Sequence, residues 1–114
     1  MREIKFNCWN KRWNEMYSWE IMCDDGLRDY MSEDDIWLQY TGLKDKNGVE
    51  IYEGDILEWG GSYYVVVWCQ ETTSFLREAC RSKLRYEMFK KTVEQADMVI
   101  GNRYENPELL GEGE

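Results

Sequence analysis

The chain has 114 residues, of which 43% are hydrophobic and 15% are aromatic. This length suits one domain, and the composition excludes an intrinsically disordered chain, because such chains lack the apolar residues that form a core. The formal charge of −9 disfavours nucleic acids and anionic membranes as partners, since their phosphates are normally contacted by Lys and Arg.

The N-terminus and the cysteines indicate a cytoplasmic protein. No long apolar run follows Met1-Arg2-Glu3, and none elsewhere approaches the roughly 20 apolar residues of a membrane span. We therefore expect neither a signal peptide nor a membrane segment, and we expect the protein to stay in the cytoplasm of the cell that makes it. The four cysteines, Cys8, Cys23, Cys69 and Cys80, lack C-x-x-C spacing and are expected to be reduced and buried, with no metal or other cofactor.

The N-terminal part of the chain predicts strands. Polar and apolar residues alternate over residues 3–9, which places Ile4, Phe6 and Cys8 on an inward face. A second alternating run has Tyr17, Trp19 and Ile21 on one face. Both runs have the period of two that is typical of β-structure.

The central part predicts a hairpin and a long apolar strand. Residues 36–41 alternate, and Asn47-Gly48 is a strong signal for a tight turn. Gly54 interrupts the extended run 51–59, which indicates a bulge or a bend. After the glycine turn at 60–61, the run 63–68 is apolar on both faces, as in a central strand of a sandwich or barrel.

The C-terminal part predicts the only helix. Leu84, Met88, Phe89 and Val93 recur at helical spacing between further predicted strands at 74–80 and from 97 onward. The predicted fold class is therefore mostly β: a small curled antiparallel sheet or barrel-like single domain over residues 1–114, with one helix or helical insert near residues 82–95.

Two stretches are more specific than their composition. The first runs from Leu38 to Leu57 and includes Tyr40-Thr41-Gly42-Leu43-Lys44-Asp45, and the second runs from Val99 to Leu110. With the opening residues 1–6 and Trp9, they closely resemble the YopX family of small bacteriophage and prophage proteins, mainly of Gram-positive bacteria. The resemblance implies a phage or prophage source, a compact β-rich domain and self-association. It implies no biochemical activity.

The residue types present disfavour an enzyme. The chain has no histidine, so a Ser-His-Asp or Cys-His site is excluded, and no glycine-rich loop has phosphate-binding spacing. The adjacent carboxylates at 24–25 and 34–35 could bind a cation, although neighbouring acidic residues are expected among 23. Asp45 and Asn47 are expected to shape the hairpin turn, and Asp55 to accept backbone N–H groups beyond Gly54.

Surplus aromatic residues and one basic stretch point to an interaction protein. Because Trp37 is out of phase with its apolar neighbours, we expect it to face outward. The candidate partner contacts are aromatic or basic residues: Trp13, Trp37, Tyr64, Lys83, Arg85, Lys90 and Lys91. The leading hypothesis is a phage accessory protein that binds a host or phage protein in the host cytoplasm.

The alternative is a nucleic-acid-associated replication or recombination accessory that uses the basic stretch 77–91. The net charge makes this alternative the weaker one. Self-association is a separate expectation: the apolar strand 63–68 and an extended C-terminal tail could both be covered by a second copy, which makes a homo-oligomer.

Overall fold

The structure, a computed structural model, describes residues 3–111, which form nine β-strands, two α-helices and two 3₁₀ helices. The strands are β1 (Phe6–Asn10), β2 (Glu15–Tyr17), β3 (Asp35–Lys44), β4 (Glu50–Tyr52), β5 (Asp55–Trp59), β6 (Ser62–Cys69), β7 (Ser74–Ala79), β8 (Arg85–Glu87) and β9 (Met98–Asn102). The α-helices are α1 (Trp19–Asp25) and α2 (Lys90–Ala96), and the 3₁₀ helices are Leu27–Tyr30 and Pro107–Gly111.

The strands form two antiparallel sheets. The first sheet has the order β2-β1-β3-β4, and the second has the order β8-β7-β6-β5-β9. Neighbouring strands along the chain are joined by tight turns at several of the predicted positions, including 45–49 and 60–61. The prediction of a mostly β, antiparallel fold is confirmed.

The chain passes from the first sheet to the second at Gly54. Its N–H donates to the Val66 carbonyl of the second sheet, and its carbonyl accepts from Arg103 N–H. Gly54 has φ +88°, and a Cβ there would lie 3.0 Å from Cε2 of Tyr104. The interruption predicted at Gly54 is therefore a change of sheet, and both conformation and space require a glycine.

One apolar cluster joins the two sheets, and another packs α1 onto the first sheet. In the first, Ile51 from the first sheet meets Leu57 and Val66 from the second, and Val93 of α2 closes it. The other lies under α1 and the 3₁₀ helix at 27–30, around Cys8 and the side chains packed on it. All four cysteines are free; Cys8, Cys69 and Cys80 are buried as predicted, whereas Cys23 is exposed.

The strand predicted through Trp19 and Ile21 ends at Tyr17, and a helix follows it. Ser18 is extended (φ −78°, ψ 158°), and its hydroxyl accepts a hydrogen bond from Ile21 N–H, which caps α1. Helical geometry turns Met22 inward and leaves Ile21 exposed. The capping serine overrides an apolar alternation of only three residues.

A helix is present in only the second half of the range 82–95 for which one was predicted. Residues 85–87 form β8, whose ladder with β7 pairs Arg77 with Tyr86, and α2 begins at Lys90. Leu84, Tyr86 and Met88 also alternate at period two, which suits an edge strand as well as a helix. No helix within residues 3–111 is long and apolar enough to cross a membrane.

Strand β6 is central, as predicted for residues 63–68. It pairs with β5 on one edge and β7 on the other, so neither edge is free to pair with a second copy. The tail expected to be extended instead turns into a 3₁₀ helix that begins at Pro107. The route to self-association expected from these two elements is therefore wrong.

Candidate functional site

The two candidate tryptophans of the first sheet do not come together. Trp37 is half-buried: its indole N–H donates to the Tyr30 carbonyl (2.7 Å), and its ring centroid lies 5.4 Å from that of Phe6. The expectation that Trp37 faces outward is wrong, because it packs onto the cluster around Cys8. Trp13 is 62% exposed in the turn between β1 and β2, beside Arg12.

The third candidate aromatic residue, Tyr64, lies in a groove on the second sheet. The groove has a volume of about 290 Å³ and is lined by residues of β5, β6, β7, β8 and α2 with its preceding residue: Trp59, Tyr64, Arg77, Tyr86, Glu87, Phe89 and Thr92. We call it the aromatic groove. Trp59, Tyr86 and Phe89 are 44%, 46% and 62% exposed, which is high for rings of this size.

Strand register places these rings on one face. Tyr64 pairs with Ala79 and Arg77 pairs with Tyr86, so Tyr64, Arg77 and Tyr86 project to the same side of the second sheet. The Tyr64 ring centroid lies 6.0 Å from that of Tyr86 and 6.3 Å from that of Trp59. Three strands therefore contribute one row of aromatic contacts.

A buried ion pair forms the floor of the groove. Nη1 of Arg77 donates to Oδ1 of Asp97 at 3.0 Å, and Nη2 donates to Oδ2. The guanidinium carbon lies 5.4 Å from the Tyr64 ring centroid and 5.9 Å from that of Trp59, within range of a cation–π contact. Arg77 is 6% exposed and Asp97 is fully buried, so the pair anchors β7 to the end of α2.

The four basic candidates do not lie together on one face of the second sheet. Lys90 and Lys91 are exposed and directly follow Phe89 of the groove. Arg85 projects from the opposite face to Tyr86, where its Nε donates to Glu78 at 3.0 Å. Lys83 lies in the turn between β7 and β8 with φ +64°.

Sequence reasoning missed Trp59, Arg77, Tyr86 and Phe89 as members of one site. Trp59 and Phe89 are 30 positions apart in the sequence, and only the ladders of β5 to β8 bring them to one groove. The alternation of Leu84, Tyr86 and Met88 is the signal for an edge strand here. The helical spacing of Leu84, Met88 and Phe89 instead predicts a helix, which would scatter these side chains around an axis.

One carboxylate of each acidic pair, Asp25 and Asp35, serves the fold. Asp25 accepts a hydrogen bond from the Tyr30 hydroxyl at 2.6 Å, and Asp35 accepts from Asn10 and Ser32. Within residues 3–111, no three His, Cys, Asp or Glu side chains are grouped as metal ligands. As expected, Asp45 shapes the hairpin turn by accepting from the N–H of Asn47 at 2.8 Å.

The carboxyl group of Asp55 has a raised pKa. Burial raises its pKa to about 7, Glu105 adds to this shift, and the hydrogen bond that its Oδ2 accepts from Tyr52 N–H opposes it. Asp55 was expected to accept from backbone N–H groups beyond Gly54. It accepts instead from the N–H of Tyr52, which precedes Gly54. Asp55 thereby closes the turn at which the chain changes sheets.

Comparison with known proteins gives a family and a fold. The family model described as YopX protein matches residues 23–111. Among solved structures, the chain is similar to protein EF1440 from Enterococcus faecalis, with 23% identity, a TM-score of 0.73, and coverage of 96% of this chain and 99% of that one. That identity supports the fold alone. No curated protein matches the chain.

The aromatic groove is formed by residues 59–92, which all lie within the matched range. The YopX family is a small family associated with phages and prophages, and it implies no defined biochemical activity. The resemblance at residues 38–57 and 99–110 is thus confirmed by a match that covers more than half of the sequence, and the chain belongs to the YopX family.

Proposed function

We propose that this chain is a phage or prophage accessory protein that binds another protein, of host or phage origin, in the cytoplasm of the infected cell, with no catalytic step of its own. The observation that carries the proposal is the aromatic groove, in which Trp59, Tyr86 and Phe89 remain exposed around one concavity. Trp and Tyr in partly desolvated pockets are common anchors of protein interfaces.

The groove is preorganised for binding. Its floor is held by the two hydrogen bonds between Arg77 and Asp97, and its walls are strands of one sheet. Because the rings are already in place, little conformational entropy is lost in ordering them when a partner binds. A rigid aromatic surface is better suited to binding a protein segment than to keeping the protein in solution.

Phe89 supports a binding role because its position does little for the fold. It occupies the N-cap of α2 with extended dihedrals (φ −93°, ψ 127°) and makes no side-chain capping bond. Ser, Thr, Asp or Asn at an N-cap would satisfy a backbone N–H group and stabilise the helix. A solvent-exposed ring at a capping position suits a contact surface better than a structural one.

The local charge indicates the chemistry of the partner. Residues 77–91 contain six basic and two acidic residues, although the whole chain has a charge of −9. We expect the bound segment to insert an apolar or aromatic side chain between Trp59 and Phe89 and to place carboxylates near Lys90 and Lys91. This arrangement pairs apolar burial with electrostatic complementarity at the rim.

The test is affinity capture from infected cells with matched variants. Trp59→Ala and Phe89→Ser alter the groove, and Trp13→Ala removes an exposed tryptophan far from it, in the turn between β1 and β2. We expect one stoichiometric protein, identified by mass spectrometry, to bind the wild type and Trp13→Ala but not the groove variants. Titration with the purified partner should show the same order of affinities. Equal capture by all four proteins contradicts the proposal.

A second candidate function is contact with single-stranded nucleic acid. The observation that favours it is the alternation of exposed rings, Tyr86 and Phe89, with basic residues in the same stretch. Bases stack on such rings while cations contact phosphates. It predicts a shift of oligonucleotide migration at roughly 50 mM salt, which is abolished by changing Lys83, Arg85, Lys90 and Lys91 to Glu. Unchanged migration of the oligonucleotide rules it out.

A further inference from the structure

Strand β8 is an exposed edge of the second sheet. Among the described strands it pairs only with β7, and its three residues, Arg85, Tyr86 and Glu87, are all exposed. An edge strand presents unpaired backbone groups that can join another strand.

The ladder with β7 determines which backbone groups face outward. Ala79 N–H donates to the Leu84 carbonyl at 2.8 Å. Hydrogen-bonded and non-hydrogen-bonded pairs alternate in antiparallel ladders, so Arg77 and Tyr86 form the next hydrogen-bonded pair. The N–H and carbonyl groups of Arg85 and Glu87 therefore point away from β7, and those of Tyr86 point toward it.

The edge is complementary to itself. If two copies of β8 run antiparallel about a two-fold axis at Tyr86, Arg85 of each copy lies opposite Glu87 of the other. The outward backbone groups of these residues then meet as hydrogen-bonded pairs, and the two Tyr86 rings face each other in the pair between them. Leu84 lies opposite Met88 of the other copy, on the same face as Tyr86.

Edge charges usually prevent strand addition, because like charges on two edges repel. Here the signs reverse about Tyr86, so an antiparallel copy meets opposite charges at both flanking positions. A parallel copy, or a register shifted by two residues, loses at least one of these pairs. The edge thus selects both the partner and the register.

We propose that a second copy of this chain pairs with β8 through an antiparallel two-fold contact centred on Tyr86. The contact joins the two second sheets into one sheet and brings the aromatic grooves of both copies beside the axis. Because the strand has only three residues, the dimer is weak and depends on concentration. It extends the site without requiring the proposed partner protein.

Charge exchange across the axis tests the pairing. Glu87→Arg places two arginines opposite each other at both positions that flank Tyr86 in the dimer. It leaves the hydrogen bond from Arg85 to Glu78 intact. In sedimentation over a concentration series, we expect the wild type to reach twice the 13.8 kDa of one chain. Glu87→Arg should associate at least roughly tenfold more weakly than the wild type. Adding Arg85→Glu to the Glu87→Arg protein should restore the dimer.

A cross-link tests the register independently. The two Tyr86 Cα atoms in a non-hydrogen-bonded pair lie about 4.5 Å apart, within the range that a disulfide spans. With Cys23 replaced by Ser, Tyr86→Cys should form a covalent dimer on mild oxidation. The matched variant Arg85→Cys should not, since its two copies are not opposite each other.

The proposal is overturned if the wild type sediments as a monomer at every concentration. It is also overturned if the dimer persists in Glu87→Arg, or if Arg85→Cys cross-links as readily as Tyr86→Cys. Circular dichroism and urea midpoints like those of the wild type show that each variant is folded. Phe89→Ser should leave the dimer intact, so failure of partner binding and failure of self-association are separately visible.

Discussion

The carboxylate of Asp45 accepts a hydrogen bond from the backbone N–H of Val99, 54 positions later in the sequence, at 2.9 Å. The same side chain accepts from the N–H groups of Asn47 and Val49 in its own turn. Lys46 N–H in turn donates to the Asp97 carbonyl. The hairpin after β3 is thus tied to the junction of α2 and β9, which also carries the floor of the aromatic groove.

Replacing Asp45 by Ala should therefore destabilise the protein strongly. Asp45 is 3% exposed, and its loss leaves three backbone N–H groups without their acceptor. Asn47 and Val49 are exposed, so water can reach their N–H groups, whereas Val99 is half-buried. A donor left unpaired away from water costs about 1–3 kcal/mol, so we expect a loss of about 1–3 kcal/mol in the free energy of unfolding. Urea unfolding followed by tryptophan fluorescence measures it. Asp45→Asn, which keeps one oxygen acceptor, should lie between wild type and Asp45→Ala.

Removing either partner of the pair Arg77–Asp97 should cost more than removing both. Asp97→Leu leaves the Arg77 guanidinium buried without its counter-ion, at a cost of about 3–5 kcal/mol. The double variant Arg77→Met with Asp97→Leu buries no unpaired charge. Its unfolding free energy should exceed that of Asp97→Leu alone. If the two single losses simply add in the double variant, the pair is not coupled as its geometry indicates.

A comparison of Gly54 with Gly48 distinguishes two reasons why a position requires glycine, a positive φ and a lack of space for a side chain. Both have positive φ, +88° and +80°, but only at Gly54 would a Cβ meet a neighbour, Tyr104 Cε2 at 3.0 Å. Gly48→Ala should cost about 1 kcal/mol for the left-handed conformation alone. Gly54→Ala should cost clearly more, because Tyr104 stacks on Trp9 at 5.8 Å and has little room to move. Similar unfolding midpoints for both variants would contradict this reading.

Much of the fold could be predicted from the sequence, because local signals were strong where they were consistent. Asn47-Gly48 predicts the hairpin, and the apolar run 63–68 predicts the central strand. Short segments were ambiguous: Leu84, Met88 and Phe89 fit a helical period as well as a strand. The aromatic groove could not be predicted, since its residues come together only through the register of strands that the sequence does not specify.

Asp55 should make the stability depend on pH. Its pKa is about 7 in the folded protein, against 3.8 for a free carboxyl group, because burial disfavours the charged form. The folded state therefore retains a proton that the unfolded state releases, and this contribution to stability is lost as pH rises from about 4 to about 7. Each unit of pKa corresponds to about 1.4 kcal/mol.

Asp55→Asn tests this dependence, since Asn keeps an oxygen that can accept from Tyr52 N–H but does not ionise. The unfolding free energy of Asp55→Asn relative to wild type should rise between about pH 4 and pH 7. Comparing the two proteins at each pH cancels the titration of other groups. Parallel pH profiles would show that the Asp55 carboxyl is already ionised at acidic pH in the folded state.

Phe89→Ser should leave the fold stable while abolishing partner binding. The serine hydroxyl can cap α2, a gain of about 1 kcal/mol, which offsets the lost burial of less than half of the ring. Val93→Ala, on the same helix but fully buried, should instead lower the unfolding free energy by more than about 1 kcal/mol. Thermal unfolding of both variants, with partner titration of the stable one, checks the contrast. If Phe89→Ser unfolds as readily as Val93→Ala, the ring supports the core and its exposure has a structural reason.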